Sequence, residues 1–166
     1  RENSLTKNQT SDIDLDAFSS SGLPISYTLS PTGIAELING KVRPIKPGKV
    51  VITASQIGNV DFDPAPNVIR EFCVTPLKPV ITIELINSIE TNLSSNSEVG
   101  NFWYKNDVFQ PNLTNQQIQA VESGTYKVKV VIDGCESPFS DVKDIVVTGL
   151  EYNKRIVVFP TIGSNE

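Results

Sequence analysis

Apolar and polar residues alternate singly along much of this chain, the two-residue period of a strand with one buried face. In SDIDLDAF (11–18), Ile13, Leu15 and Ala17 fall on one side and Asp12, Asp14 and Asp16 on the other. PISYTLS (24–30) continues with Ile25, Tyr27 and Leu29 on one face. GKVVITAS (48–55) is a β-branched run bounded by turn residues, as strands are. NVIREFCVTP (67–76) sets Phe72 and Val74 on one face and Ile69, Cys73 and Thr75 on the other. A helical period is weakly present only in NQQIQAVE (115–122), which reads as a strand or a single turn.

TPLKPV (75–80) forms a stiff joint, since each proline fixes its φ and biases the preceding residue towards extended geometry. The pattern then restarts in VITIEL, IETNLSS, NFWYKND, TYKVKVVID and KDIVVTG, with turn signals at Lys105-Asn106-Asp107 and Asp133-Gly134. Short strands at this spacing predict an all-β chain of two tandem β-sandwiches, whose immunoglobulin-like character is implied by the motifs described next. The sandwiches span residues 1–76 and 77–150, with residues 151–166 as a linker and the start of a further β segment.

The immunoglobulin resemblance rests on the second unit. Glu122-Ser123-Gly124-Thr125-Tyr126 is similar to a tyrosine corner, in which the ring pins the turn into a strand through its hydroxyl. Tyr126, Val128, Val130 and Ile132 then point inward, and Trp103 takes the place of the core tryptophan. Leu93 and Val128 stand where such domains carry their buried disulfide. Burying each side chain is worth about 1.5–3 kcal/mol, comparable to the roughly 2–4 kcal/mol of a bridge. The core is therefore expected to do without one.

Composition narrows the function. The 166-residue chain is 39% apolar and 20% charged, as globular chains are. A net charge of −5 argues against nucleic-acid binding, which needs a basic footprint. The absence of histidine removes the commonest general base and metal ligand. Methionine is absent too, position 1 included, which points to a piece of a longer chain. No run of about 20 apolar residues could span a membrane, and the polar start is no signal peptide. Glu84, Glu90, Glu98 and Glu122 are scattered, with no facing pair of the kind glycoside hydrolysis requires. The expectation is a non-enzyme without cofactors.

Cys73 and Cys135, the only cysteines, permit one disulfide and no metal cage. Cys73 lies just before the joint and Cys135 at a hairpin tip, both expected near the surface, where a free thiol is a liability. One reading is a Cys73–Cys135 bridge that staples the second sandwich to the strand entering it. The other is two unpaired, partly buried cysteines.

Asp12, Asp14 and Asp16 resemble a run of calcium ligands, as do Asp61 and Asp63. Calcium needs six to eight converging oxygens, whereas alternate strand residues space carboxylates about 7 Å apart in a row. A solvated strand face is the favoured reading. Phe102 and Tyr104 flank Trp103, with Phe109 nearby, and these rings either stack on a sugar or pack across the sheet. The acceptor sequons at Asn8, Asn92 and Asn112 read as chance matches.

The stretch from Asp14 to Pro76 resembles bacterial Ig-like repeats of large secreted Bacteroidetes proteins, through SSGLPISY, the ING turn, PGKVVITASQIGNVDFDPAP and FCVTP. The second unit is similar to the Ig-like domain that often follows such repeats, through NFWYKND, ESGTYKVKV and DGCESPFSD. IVVFPTIGSNE (156–166) resembles the opening of the C-terminal sorting domain of type IX secretion, departing from it at Thr161-Ile162, where Asn-Pro is usual. The resemblance implies a secreted or cell-surface protein and an oxidising setting that suits a disulfide. It implies neighbouring domains of the same parent and the type IX machinery as partners. Spacer or adhesive roles are usual for such modules, with surface glycans as ligands in the adhesive alternative, and no catalytic residues carry over.

Overall fold

The computed structural model describes residues 7–8, 12–86 and 90–147, and among these every regular element is a strand. The sorting-type segment 156–166 lies outside the described residues. In the first unit the strands are β1 (Lys7–Asn8), β2 (Ile13–Asp14), β3 (Ser26–Ser30), β4 (Ala35–Ile38), β5 (Lys41–Pro44), β6 (Gly48–Gln56) and β7 (Ala65–Thr75). One sheet has the order β1-β7-β6-β3 and the facing one β2-β5-β4, with β1 parallel to β7 and the other pairings antiparallel. Ile13, Ile34, Ala35, Val42, Val50, Phe72 and Val74 form one buried cluster between the sheets.

The second unit contains β8 (Ile81–Leu85), β9 (Thr91–Ser95), β10 (Asn101–Lys105), β11 (Val108–Phe109), β12 (Gln117–Ala120), β13 (Gly124–Ile132), β14 (Cys135–Glu136) and β15 (Lys143–Ile145). Strand β12 resolves the ambiguous NQQIQAVE segment as extended chain. One sheet runs β12-β9-β8; the other runs β11-β10-β13, with both β14 and β15 on the far side of β13. A separate cluster fills this sandwich: Ile81, Leu93, Trp103, Ile118, Ala120, Tyr126, Val128 and Ile145. The indole is fully buried, and its Nε1–H donates to the Asn115 carbonyl at 2.9 Å. The Tyr126 hydroxyl donates to the Glu122 carbonyl at 3.0 Å, closing the tyrosine corner. Leu93 and Val128 are both wholly buried in the same cluster.

Three hairpins turn on two residues of positive φ: Asn39-Gly40, Asn106-Asp107 and Asp133-Gly134. This mirror-type turn matches the right-handed twist of the strands it joins and favours Asn, Asp and Gly. The chain beyond β14 follows β13 although Pro138 interrupts it. Buried Ser137 and Ser140 Oγ accept the amides of Val130 and Val128 at 2.8 and 3.0 Å, continuing the ladder with side chains.

The two units meet at a covalent bond. Cys73 and Cys135 form a disulfide with their Cα atoms 5.5 Å apart, inside the usual range for a bridge. Cys135 is only 1% exposed, which corrects the expectation that both cysteines lie near the surface. The Asp133-Gly134 turn folds it back against β7, a placement that its position at a hairpin tip does not reveal. Beside the bond, a Cβ added to Gly48 would lie 3.0 Å from Asp133 Oδ2, so backbone and turn touch closely there. Val80 of the joint exchanges two hydrogen bonds with Asn96, at 2.8 and 3.1 Å, fixing the entry into β8.

Candidate functional site

The outer face of the β11-β10-β13 sheet gathers aromatic rings and lysines. Because Trp103 points inward from β10, its neighbours Phe102 and Tyr104 point outward, and β13 presents Lys127 and Lys129 between its buried Tyr126, Val128 and Val130. Register sets Phe102 opposite Lys129 and Tyr104 opposite Lys127, so rings and ammoniums alternate. Phe109 on β11 lies opposite Tyr104. Its ring stacks on Phe102 and tilts against Tyr104, each at 5.5 Å between centroids.

Phe139, which the sequence reading missed, completes the cluster with its ring edge-on to Tyr104 at 5.0 Å. Lys127 Nζ sits 4.4 Å from the centre of the Phe139 ring, a cation–π distance. Phe139 lies in the irregular stretch after Pro138, where no alternation marks a face; only its nearness to Cys135 in sequence hinted at the region.

Each lysine also has its own carboxylate: Lys127 pairs with Asp107, and Lys129 pairs with Glu136 at 2.7 Å. The Glu136 hydrogen bond is the main cause holding the Lys129 ammonium above the usual lysine range. With both cations matched internally, the face has little pull on an anion. Phe102 and Tyr104 are half-buried by their neighbours, so the rings form a packed layer rather than an open stacking platform. Phe109 and Phe139 remain 37% and 38% exposed, enough to present ring edges to a partner.

Two aspartates of the run are engaged by cations of the neighbouring strand. Strand β2 covers only Ile13–Asp14; Asp12 takes a two-pronged contact from Arg43 at 3.1 and 3.2 Å, and Asp14 pairs with Lys41 at 2.8 Å. The Arg43 guanidinium holds the Asp12 carboxyl below the ordinary carboxylate range. Asp61 and Asp63 are exposed in a loop organised by Asn59, whose Oδ1 accepts the amides of Asp61 and Phe62, both at 2.9 Å. Among the described residues no three acidic, cysteine or histidine side chains converge as metal ligands would.

A cavity of about 210 Å³ opens between the sheets of the first unit, lined mainly by Ile13, Leu15, Tyr27, Ile52, Val68 and Phe72. It is smaller than the roughly 300–1,000 Å³ of small-molecule sites. Its lining comes from β2 and the chain just after it, and from β3, β5, β6 and β7.

No protein-family model and no curated protein matches the sequence. Among solved structures, the crystal structure of chicken CNTN1 FN1–FN3 domains is similar at 13% identity, with a TM-score of 0.25. The match covers 86% of this chain and 64% of that one, so the chain spans less than two thirds of the neighbour's length. The immunoglobulin-like character of the second sandwich rests on its internal geometry, namely facing sheets, the buried indole and the tyrosine corner, while the first unit shows two facing sheets around a core of its own. Among the described residues no helix is long and apolar enough to cross a membrane.

Proposed function

We propose that the chain is a pair of non-catalytic structural modules serving as a spacer in a secreted or cell-surface protein. The observation that carries this is the Cys73–Cys135 disulfide, which ties one sandwich to the next beside a proline-bracketed joint. A bond of this kind persists in an oxidising compartment. Export by the type IX system rests on the sequence resemblance of residues 156–166, and neighbouring domains of the parent are the partners this reading implies. Small-angle X-ray scattering tests the spacer role. The oxidised chain should fit one fixed arrangement of the two units, and reduction should broaden it. An oxidised profile that requires many arrangements overturns the reading.

The second reading is a carbohydrate-binding or adhesin module, favoured by the partly exposed edges of Phe109 and Phe139 beside Phe102 and Tyr104. A glycan array with Phe102→Ala/Tyr104→Ala as control decides between them. Specific binding lost in the variant establishes the second reading in place of the first.

A further inference from the structure

We infer that the Cys73–Cys135 bond diverts tension around the second sandwich, so that in the oxidised chain this sandwich is carried along without being stretched. The inference deepens the spacer reading and rests on it for its biological meaning. It begins from connectivity. The bonded cysteines are 62 positions apart, which encloses the 61 residues from Val74 to Gly134. Seven of the eight buried residues of the second core lie inside that loop, and only Ile145 lies outside it.

A pull on the two chain ends reaches the second unit through β7, crosses the sulfurs to Cys135, and leaves beyond β15. The path from Cys135 to Ile145 runs along a single strand, β13. Cys135 is paired with Ile132, and Ile145 with Gly124 at the other end of β13. Between them the amides of Ser137 and Ser140 donate to the carbonyls of Val130 and Val128, each at 2.8 Å. Eleven residues of the path thus lie beside nine of β13, already extended, with a slack of roughly two residues or about 7 Å. Tension directed along such a segment draws it taut and does not separate the two sheets.

Without the bond the geometry reverses. The same pull enters through the joint into β8, at the edge of the opposite sheet, and leaves through β15. The whole sandwich then lies between the points of entry and exit, and it must unravel for the chain to lengthen. The 61 enclosed residues represent roughly 200–220 Å of extended chain. Oxidation withholds that length, and reduction to two thiols releases it.

Single-molecule pulling on the full 166-residue chain, with handles at its two ends, tests the inference. The oxidised chain should show unfolding of the first sandwich alone. With a thiol reductant a second event should appear, and the total length should grow by roughly 200–220 Å. Buried-indole fluorescence from Trp103 before pulling establishes that the reduced second sandwich is folded, and Cys73→Ser/Cys135→Ser should reproduce the reduced trace. If the double variant does not fold, reductant titration of the unsubstituted chain gives the same comparison. A second-sandwich event in the oxidised chain at comparable force overturns the inference, as do equal total lengths with and without reductant. Either result leaves the spacer reading standing, whereas glycan binding removes that reading without altering the traces.

Discussion

Truncating Leu93 to alanine tests whether an apolar pair holds the second sandwich in place of an internal bridge. Leu93 is wholly buried, with Ile118 opposite it on β12 and Ile83 opposite it on β8. Leu→Ala at such a site removes the transfer energy of the lost methyl and methylene groups and leaves a cavity, together costing about 2–5 kcal/mol. The strands on both sides of Leu93 are held to its own by antiparallel pairing, which limits collapse into the space, so about 3 kcal/mol is the working value. Against a typical stability of about 5–15 kcal/mol this is a large fraction. With an m-value of about 1–3 kcal/mol/M, the urea midpoint should fall by about 1–3 M. Trp103 is the only tryptophan and belongs to the same cluster, so its fluorescence follows this unit and not the first. Ile83→Ala is the control: Ile83 is 40% exposed on the edge strand, and its truncation should cost about 1 kcal/mol. Should Leu93→Ala shift the midpoint no further than Ile83→Ala, the core does not depend on the residue in the cysteine's place, and the argument fails.

Three further outcomes follow from the geometry. Tyr126→Phe removes the hydroxyl that caps the Glu122 carbonyl; since Glu122 is exposed, water can replace the donor, and a loss of about 1 kcal/mol in urea unfolding is expected. Gly100→Ala should cost about 2 kcal/mol or more, read as a lower Tm, because φ is 74° and the new Cβ would lie 2.5 Å from the Val131 carbonyl oxygen. Asp12, Glu122 and Asp141 are held below ordinary carboxylate values by hydrogen bonds from Arg43, Lys105 and Lys78 respectively. Their stabilisation is present above the unfolded values near about 4 and is lost as pH falls through the depressed folded values. The Tm should therefore fall between pH 6 and pH 3, less so in high salt; an unchanged Tm contradicts the assignment.

What could be read from the sequence was local. Tyr126 and Trp103 are marked by their neighbours: a Gly two residues before the tyrosine, and strict alternation along β10 and β13. The hairpin turns are marked as well, because positive φ at two successive residues selects Asn, Asp and Gly. What could not be read depends on who lies across the sheet. The aspartates around β2 show a clean alternation, yet only the placement of Asp12 and Asp14 against Arg43 and Lys41 turns these two from free carboxylates into ion pairs. Phe139 joins Tyr104 across 35 positions of sequence, and the proline before it erases the period that would have assigned it a face. The burial of Cys135 has the same origin. Its cover comes from β7 of the other unit, and nothing within the hairpin specifies that.

Moving the bridge out of the core changes its stabilising effect little and its mechanical meaning completely. A bond between positions 93 and 128 would close a loop of 35 residues, against 62 for the bond that exists. In the chain-entropy treatment these loops are worth about 3.8 and 4.3 kcal/mol, a difference of about 0.5 kcal/mol. Leucine and valine supply a comparable amount by burial where the cysteines would have been, so the sandwich has little to gain from a bond of its own. The bond that does form joins two separately packed cores. A core bridge would tie sheet to sheet and leave the connection between units to a six-residue joint alone; this one adds a second link beside the joint and leaves the sheets to hydrophobic packing. Stability alone gives no reason to prefer the second arrangement, whereas the spacer role proposed above would.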